Sequence, residues 1–113
     1  MDSPDKFAQV FATLCAKYVE RARSQRERLA ALRGEVAGSK TTSEVTAELL
    51  WICHSLHGAS GTFGYADVGD AAAEAERLVK RVQQPDAPEE IWRELDAALG
   101  QLHRTMEQIP HPE

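Results

Sequence analysis

Apolar residues recur at intervals of three and four along nearly the whole chain, and that spacing restricts it to helices. Phe7, Val10, Phe11, Leu14, Tyr18, Ala22, Leu29 and Leu32 form the first stripe, with Ser3 and Pro4 placed as a cap and first-turn pair. It reads as one long helix with room for a single break. The segment "GEVAGSKTT", from Gly34, carries the clearest early linker signals, and Thr41 with Glu44 has capping-box spacing for a second helix. Val45, Leu49, Ile52, Leu56 and Phe63 continue its period. Val68, Ala71, Ala75, Leu78 and Val82 give a third stripe that ends before "QQPDAPEE", where Pro88 fits the first turn of another helix. Ile91, Leu95, Ala98, Leu102, Met106 and Ile109 form the fourth. No segment combines β-branched alternation with hairpin turns, and no internal repeat is evident. Four amphipathic helices with short connections predict an all-α fold, an antiparallel four-helix bundle, as a single domain over residues 1–113.

A chain of 113 residues supports one core but not an ATP-binding catalytic domain plus a second module, so it is expected to act with a partner. Its 13 Lys and Arg against 18 Asp and Glu argue against a phosphate-driven nucleic-acid binder. Cys15 and Cys53 fall within helical patterns without CxxC spacing, which reads as reduced core thiols and points weakly to the cytoplasm. The start "MDSPDKFAQVFATL" is acidic and has no continuous apolar segment, so neither a signal peptide nor a membrane span is expected. The run "KYVERARSQRERLAALR" interleaves Glu20 and Glu27 with its arginines and reads first as a solvated helix face, with steering of an acidic partner as the alternative.

The segment "HSLHGASGTFGY", residues 54–65, is anomalous in such a chain. Glycine in a helix interior costs about 1 kcal/mol relative to alanine, and Gly58, Gly61 and Gly64 follow two histidines within ten residues. At about 100° per residue, Leu49, Ile52, Leu56 and Phe63 define the inward direction and His54 points roughly 165° away from it. Its neighbours on the outward face are Ala47, Leu50, Trp51, Gly58 and Gly61. Side chains lean toward a helix's N-terminus, so a residue four places after His54 would crowd the imidazole; Gly58 removes that obstruction and Gly61 clears the next turn. Close helix packing is the ordinary alternative for glycine, and it suits Gly64, which also suits a helix end. Leu50 and Trp51 divide evenly between packing on the first helix and lining a docking surface.

His54, Leu56, Gly58, Gly61 and Gly64 are where the sequence resembles the histidine-containing phosphotransfer (HPt) domains of multistep two-component signalling, whose pattern reads H-x-L-K-G with small residues and a further glycine following. Here it reads "HSLHG" then "ASGTFG", with "AERLV" in the expected next helix, and the likeness runs from about Thr42 to Arg81. The resemblance implies an HPt-like bundle in which His54 is the phosphoacceptor, taking a phosphoryl group from a receiver-domain aspartyl phosphate and passing it to another receiver. Its partners would be response-regulator receiver domains and a hybrid histidine kinase, with this chain acting as a monomer. Position 57, lysine in the pattern, is histidine, which makes His57 a candidate phosphoryl stabiliser of weaker charge. Gly58 matches the glycine that permits close docking. No cofactor is expected on this chain, because it shows neither a Walker loop nor a clustered acidic metal site; magnesium is expected on the partner receiver.

Neutral imidazole is a nucleophile at cytoplasmic pH, so the chemistry is reasonable on its own terms. A metal site through His54 and His57 has the right helical spacing but only two ligands, and no adjacent Cys or carboxylate completes a recognisable set. A non-phosphorylated helical adaptor or kinase inhibitor on the same bundle is the alternative from a different class. His103 on the fourth helix and His111 in the proline-rich end read as solvated residues.

Overall fold

The computed structural model describes residues 4–38 and 41–110; Ser3 and His111 lie outside the described residues. Four α-helices follow in chain order: α1 (Pro4–Ala37), α2 (Ser43–Ser60), α3 (Ala66–Val82) and α4 (Glu89–Thr105). They form an all-α four-helix bundle. None is long and apolar enough to cross a membrane.

The expected break in α1 does not occur, and the expected linker at Gly34 is still helix; the chain leaves α1 only at Gly38, whose N–H reaches back to the Gly34 carbonyl at 3.0 Å. At a rise of about 1.5 Å per residue, the 34 residues of α1 span roughly 50 Å, about twice the 17 or 18 of the other helices. The molecule is accordingly 58 Å long and only 25 by 22 Å across. Tyr18, Ala22, Leu29 and Leu32 enter the core, but the expected stripe residues Phe7, Val10, Phe11 and Leu14 lie exposed, because α1 extends past its neighbours there. Cys15 is half buried on the same half of α1, not in the core; Cys53 is fully buried.

Three arginines of the basic run tie α1 to other helices rather than pointing freely into solvent. Arg28 makes a bidentate pair with Glu48 on α2, Arg33 holds Asp96 on α4 at 2.8 Å, and Arg26 reaches Glu107 at 3.4 Å. Gly100 on α4 makes room for the Arg33 guanidinium, which would stand 2.9 Å from an added Cβ.

The cap of α2 is Thr42, one residue later than expected, and its hydroxyl accepts from the Val45 N–H at 3.2 Å. Leu49, Ile52 and Leu56 bury fully. Phe63 is not on α2: the helix ends at Ser60 and Phe63 sits in the following turn, stacked against Tyr18 with ring centroids 5.0 Å apart. Gly64 has φ +91° and open space around it, so its role is conformational, letting the Tyr65 N–H return to the Ser60 carbonyl at 2.8 Å. Beneath the turn, Tyr18 and Ser60 share a buried hydroxyl hydrogen bond of 2.7 Å.

In α3 and α4 the expected stripes face the core, with Ala72 and Leu99 joining them as fully buried members and Ala71 and Ala98 left at the edge. Pro88 stands as the N-cap of α4 rather than inside its first turn, and Met106 falls in a 3₁₀ turn (Met106–Gln108) that still buries it.

The opposed directions of His54 and Leu56 set the first expectation. Leu56→Ala opens a core cavity and costs about 2 to 5 kcal/mol, whereas His54→Gln, at an exposed position, costs no more than about 1.5 kcal/mol. Urea melts check it; a larger loss for His54→Gln would contradict the orientation of α2.

Candidate functional site

His54 stands on the solvent side of α2 with 68% of its side chain exposed, as its helical phase dictates. An added Cβ at Gly58 or Gly61 would meet nothing within 4 Å, so both glycines leave open space over this face. Trp51, one turn before His54, is 64% exposed, while Leu50 packs partly against the core.

Glu76 on α3, a residue that sequence reasoning missed, meets both histidines. Its side chain is only 9% exposed, and both oxygens are taken: Oε2 accepts from His54 Nδ1 at 3.0 Å and from Lys80 Nζ at 3.2 Å, and Oε1 accepts from His57 Nδ1 at 3.1 Å. Burial pushes this carboxyl up, but the hydrogen bonds from His54, His57 and Lys80 outweigh it and hold the group at about 2. An ionised carboxylate only accepts, so both imidazoles must donate from Nδ1–H. Each ring is thereby fixed in one tautomer with its lone pair on Nε2, the atom turned away from Glu76.

Glu76 reaches α2 because the helices approach closely beside it. Gly69 lies two turns earlier on α3, and a Cβ there would contact the Ser60 Cβ at 3.6 Å and the His57 carbonyl at 3.8 Å. The close-packed glycine is therefore Gly69, not any glycine of α2. Cys53 lies buried under the site; burial and then the Glu76 charge push its thiol up to about 12, which leaves it without nucleophilic character. Lys80, a permanent cation one turn after Glu76 on α3, pairs with the same carboxylate at 3.2 Å. The carboxylate that was absent near the histidines in sequence is thus present in space, although no group of three or more His, Cys, Asp or Glu among the described residues is arranged to hold a metal ion.

Because the Glu76 carboxyl lies below its usual 4.5, its ionisation contributes stability that is fully present above about pH 4.5 and lost as pH falls toward about 2. The stability difference between wild type and Glu76→Gln is expected to shrink as pH falls through that window. Urea melts across the window check this, and a difference independent of pH would contradict the bridging arrangement.

No curated protein and no solved structure matches the chain significantly. The family model of the Hpt domain matches residues 8–105, which takes in all of α2, α3 and α4 and most of α1. With that match over most of its length and its helical bundle, the chain belongs to the Hpt domain family, the family of histidine phosphotransfer in phosphorelays.

Proposed function

We propose that this chain takes a phosphoryl group from the aspartyl phosphate of a receiver domain onto Nε2 of His54 and gives it up to another receiver. The observation that carries the reading is the pairing of His54 Nδ1 with a buried, ionised Glu76 while the rest of the ring stands in solvent. The Nε2 lone pair forms the N–P bond as the P–O bond to the donor aspartate breaks, and that electron pair leaves with the aspartate carboxylate. The ring keeps its Nδ1 proton and becomes a phosphorylated imidazolium, whose positive charge lies against Glu76. Transfer onward is the reverse step on a second receiver, and the same imidazolium is the leaving group.

Lys80 and His57 border the carboxylate, and His57 is the candidate stabiliser of the phosphoryl oxygens in its imidazolium form, which keeps Nδ1–H on Glu76 and donates from Nε2–H. Gly58, Gly61 and Trp51 make up the surface on which a receiver would lie. Magnesium belongs to the receiver, and the chain acts in the cytoplasm as a monomer beside receivers and a hybrid histidine kinase. A non-phosphorylated adaptor would have no use for a nucleophile held in a single tautomer.

A receiver carrying aspartyl phosphate is expected to label the protein in an acid-labile, base-stable form that maps to His54. Because a docked receiver presents its phosphoryl group to His54, the label it delivers should fall by at least about tenfold in His54→Gln, equivalent to about 1.4 kcal/mol of barrier, and remain in His103→Gln. Undiminished labelling of His54→Gln would overturn the assignment. Gly58→Gln is expected to fold as well as wild type, or better by up to about 1 kcal/mol, and to transfer more slowly because its side chain occupies the open space before His54. Unchanged transfer kinetics in a folded Gly58→Gln protein would remove the docking role of that glycine.

A further inference from the structure

His54 and His57 stand in matched surroundings. Each donates from Nδ1 to a different oxygen of the same Glu76 carboxylate, at 3.0 and 3.1 Å, so each presents Nε2 as its lone pair. Each is followed four residues later by a glycine, Gly58 for His54 and Gly61 for His57, and neither position has anything within 4 Å of an added Cβ. The leaning side chain that would cover an imidazole from the following turn is therefore missing for both rings. Their side chains are 68% and 53% exposed. Every feature that qualifies His54 as a nucleophile, apart from its place in the family pattern, is repeated one turn later.

We propose that His57 is a second phosphoryl acceptor, modified on Nε2, that shares the Glu76 carboxylate with His54. The proposal rests on the phosphorelay reading only for the source of phosphoryl groups, an acyl phosphate; the nucleophile is defined by the geometry. The Nε2 lone pair of His57 forms the N–P bond, the donor's bond to phosphorus breaks with its electron pair leaving on the donor, and the ring retains the Nδ1 proton against Glu76 Oε1. The two acceptors exclude one another. Each phosphoryl group brings a charge of about −1.5 to −2, their Cβ atoms stand about 5–6 Å apart at this spacing, and Glu76 already carries a negative charge beneath them. One phosphoryl group per chain, divided between two rings, is the expected state.

Phosphoramidate is a donor small enough to reach either ring without docking; its P–N bond breaks and ammonia leaves with the electron pair. Wild type, His54→Gln, His57→Gln, the double variant and Glu76→Gln would be treated with it, and the phosphoryl group located by tandem mass spectrometry at alkaline pH and by nitrogen-15 NMR. Wild type is expected to carry one phosphoryl group, found on His54 in some chains and His57 in others. His54→Gln should carry it on His57 Nε2, and His57→Gln on His54 Nε2. The double variant should fall to the slow rate of His103, and Glu76→Gln should slow both rings and lose the preference for Nε2. Labelling of His57 in His54→Gln no faster than that of His103, or on Nδ1, would overturn the proposal while leaving His54 as the acceptor. Labelling of His57 with His54 inert would do the reverse, and inertness of both rings would remove both readings.

Discussion

One buried carboxylate, Glu76, decides what the two histidines above it can do. A carboxylate sheltered from water is costly unless it is paired, and here His54, His57 and Lys80 supply three donors from two helices. The same hydrogen bonds that keep the group ionised dictate the tautomer of both rings. Stability and reactivity thus share an origin: the proton on each Nδ1 satisfies Glu76, and its absence from each Nε2 makes a nucleophile. The proposed phosphoryl transfer would need no rearrangement there, since the new positive charge would arise beside the negative one that already stands.

The remainder of the fold holds α2 and α3 at the separation this requires. Gly69 admits α2 close to α3 beside Glu76, the Leu49, Ile52 and Leu56 side of α2 is fixed in the core, and the turn with Gly64 at positive φ brings the chain directly back into α3. The Tyr18–Ser60 hydrogen bond and the Tyr18–Phe63 ring contact pin that turn to α1. Further along α1, the Arg33–Asp96 pair ties it to α4. The α2–α3 turn is therefore held to α1, and His54 and His57 each keep more than half of their side chains exposed.

Periodicity made the four helices, their inward residues and the outward direction of His54 legible, because a 3.6-residue repeat encodes direction directly. The same rule assigned Phe7, Val10, Phe11 and Leu14 to the bundle, and it fails there because direction says nothing about whether a neighbour is present; α1 simply outruns the other helices. Ends were less legible than middles: Thr42 caps where Thr41 was expected, and Phe63 continues the spacing of α2 after the helix has stopped. Glu76 was the costliest omission. A glutamate among alanines in an amphipathic helix looks solvated, and its partners on α2 lie 19 and 22 residues away in sequence. A signal was present in retrospect, since Glu76 falls two turns after Gly69 and between Ala72 and Val79, all on the buried side of α3. Only packing reveals that this flank meets the histidines.

The tautomers of the two imidazoles test the account most directly. Long-range proton–nitrogen NMR of protein labelled with nitrogen-15 histidine, recorded near pH 8 where unperturbed imidazole is neutral, distinguishes a protonated Nδ1 from a protonated Nε2. The account predicts Nδ1–H with a bare Nε2 for both His54 and His57, and loss of that preference at both rings in Glu76→Gln. Nε2–H at either ring in wild type, or tautomers indifferent to Glu76→Gln, would contradict it.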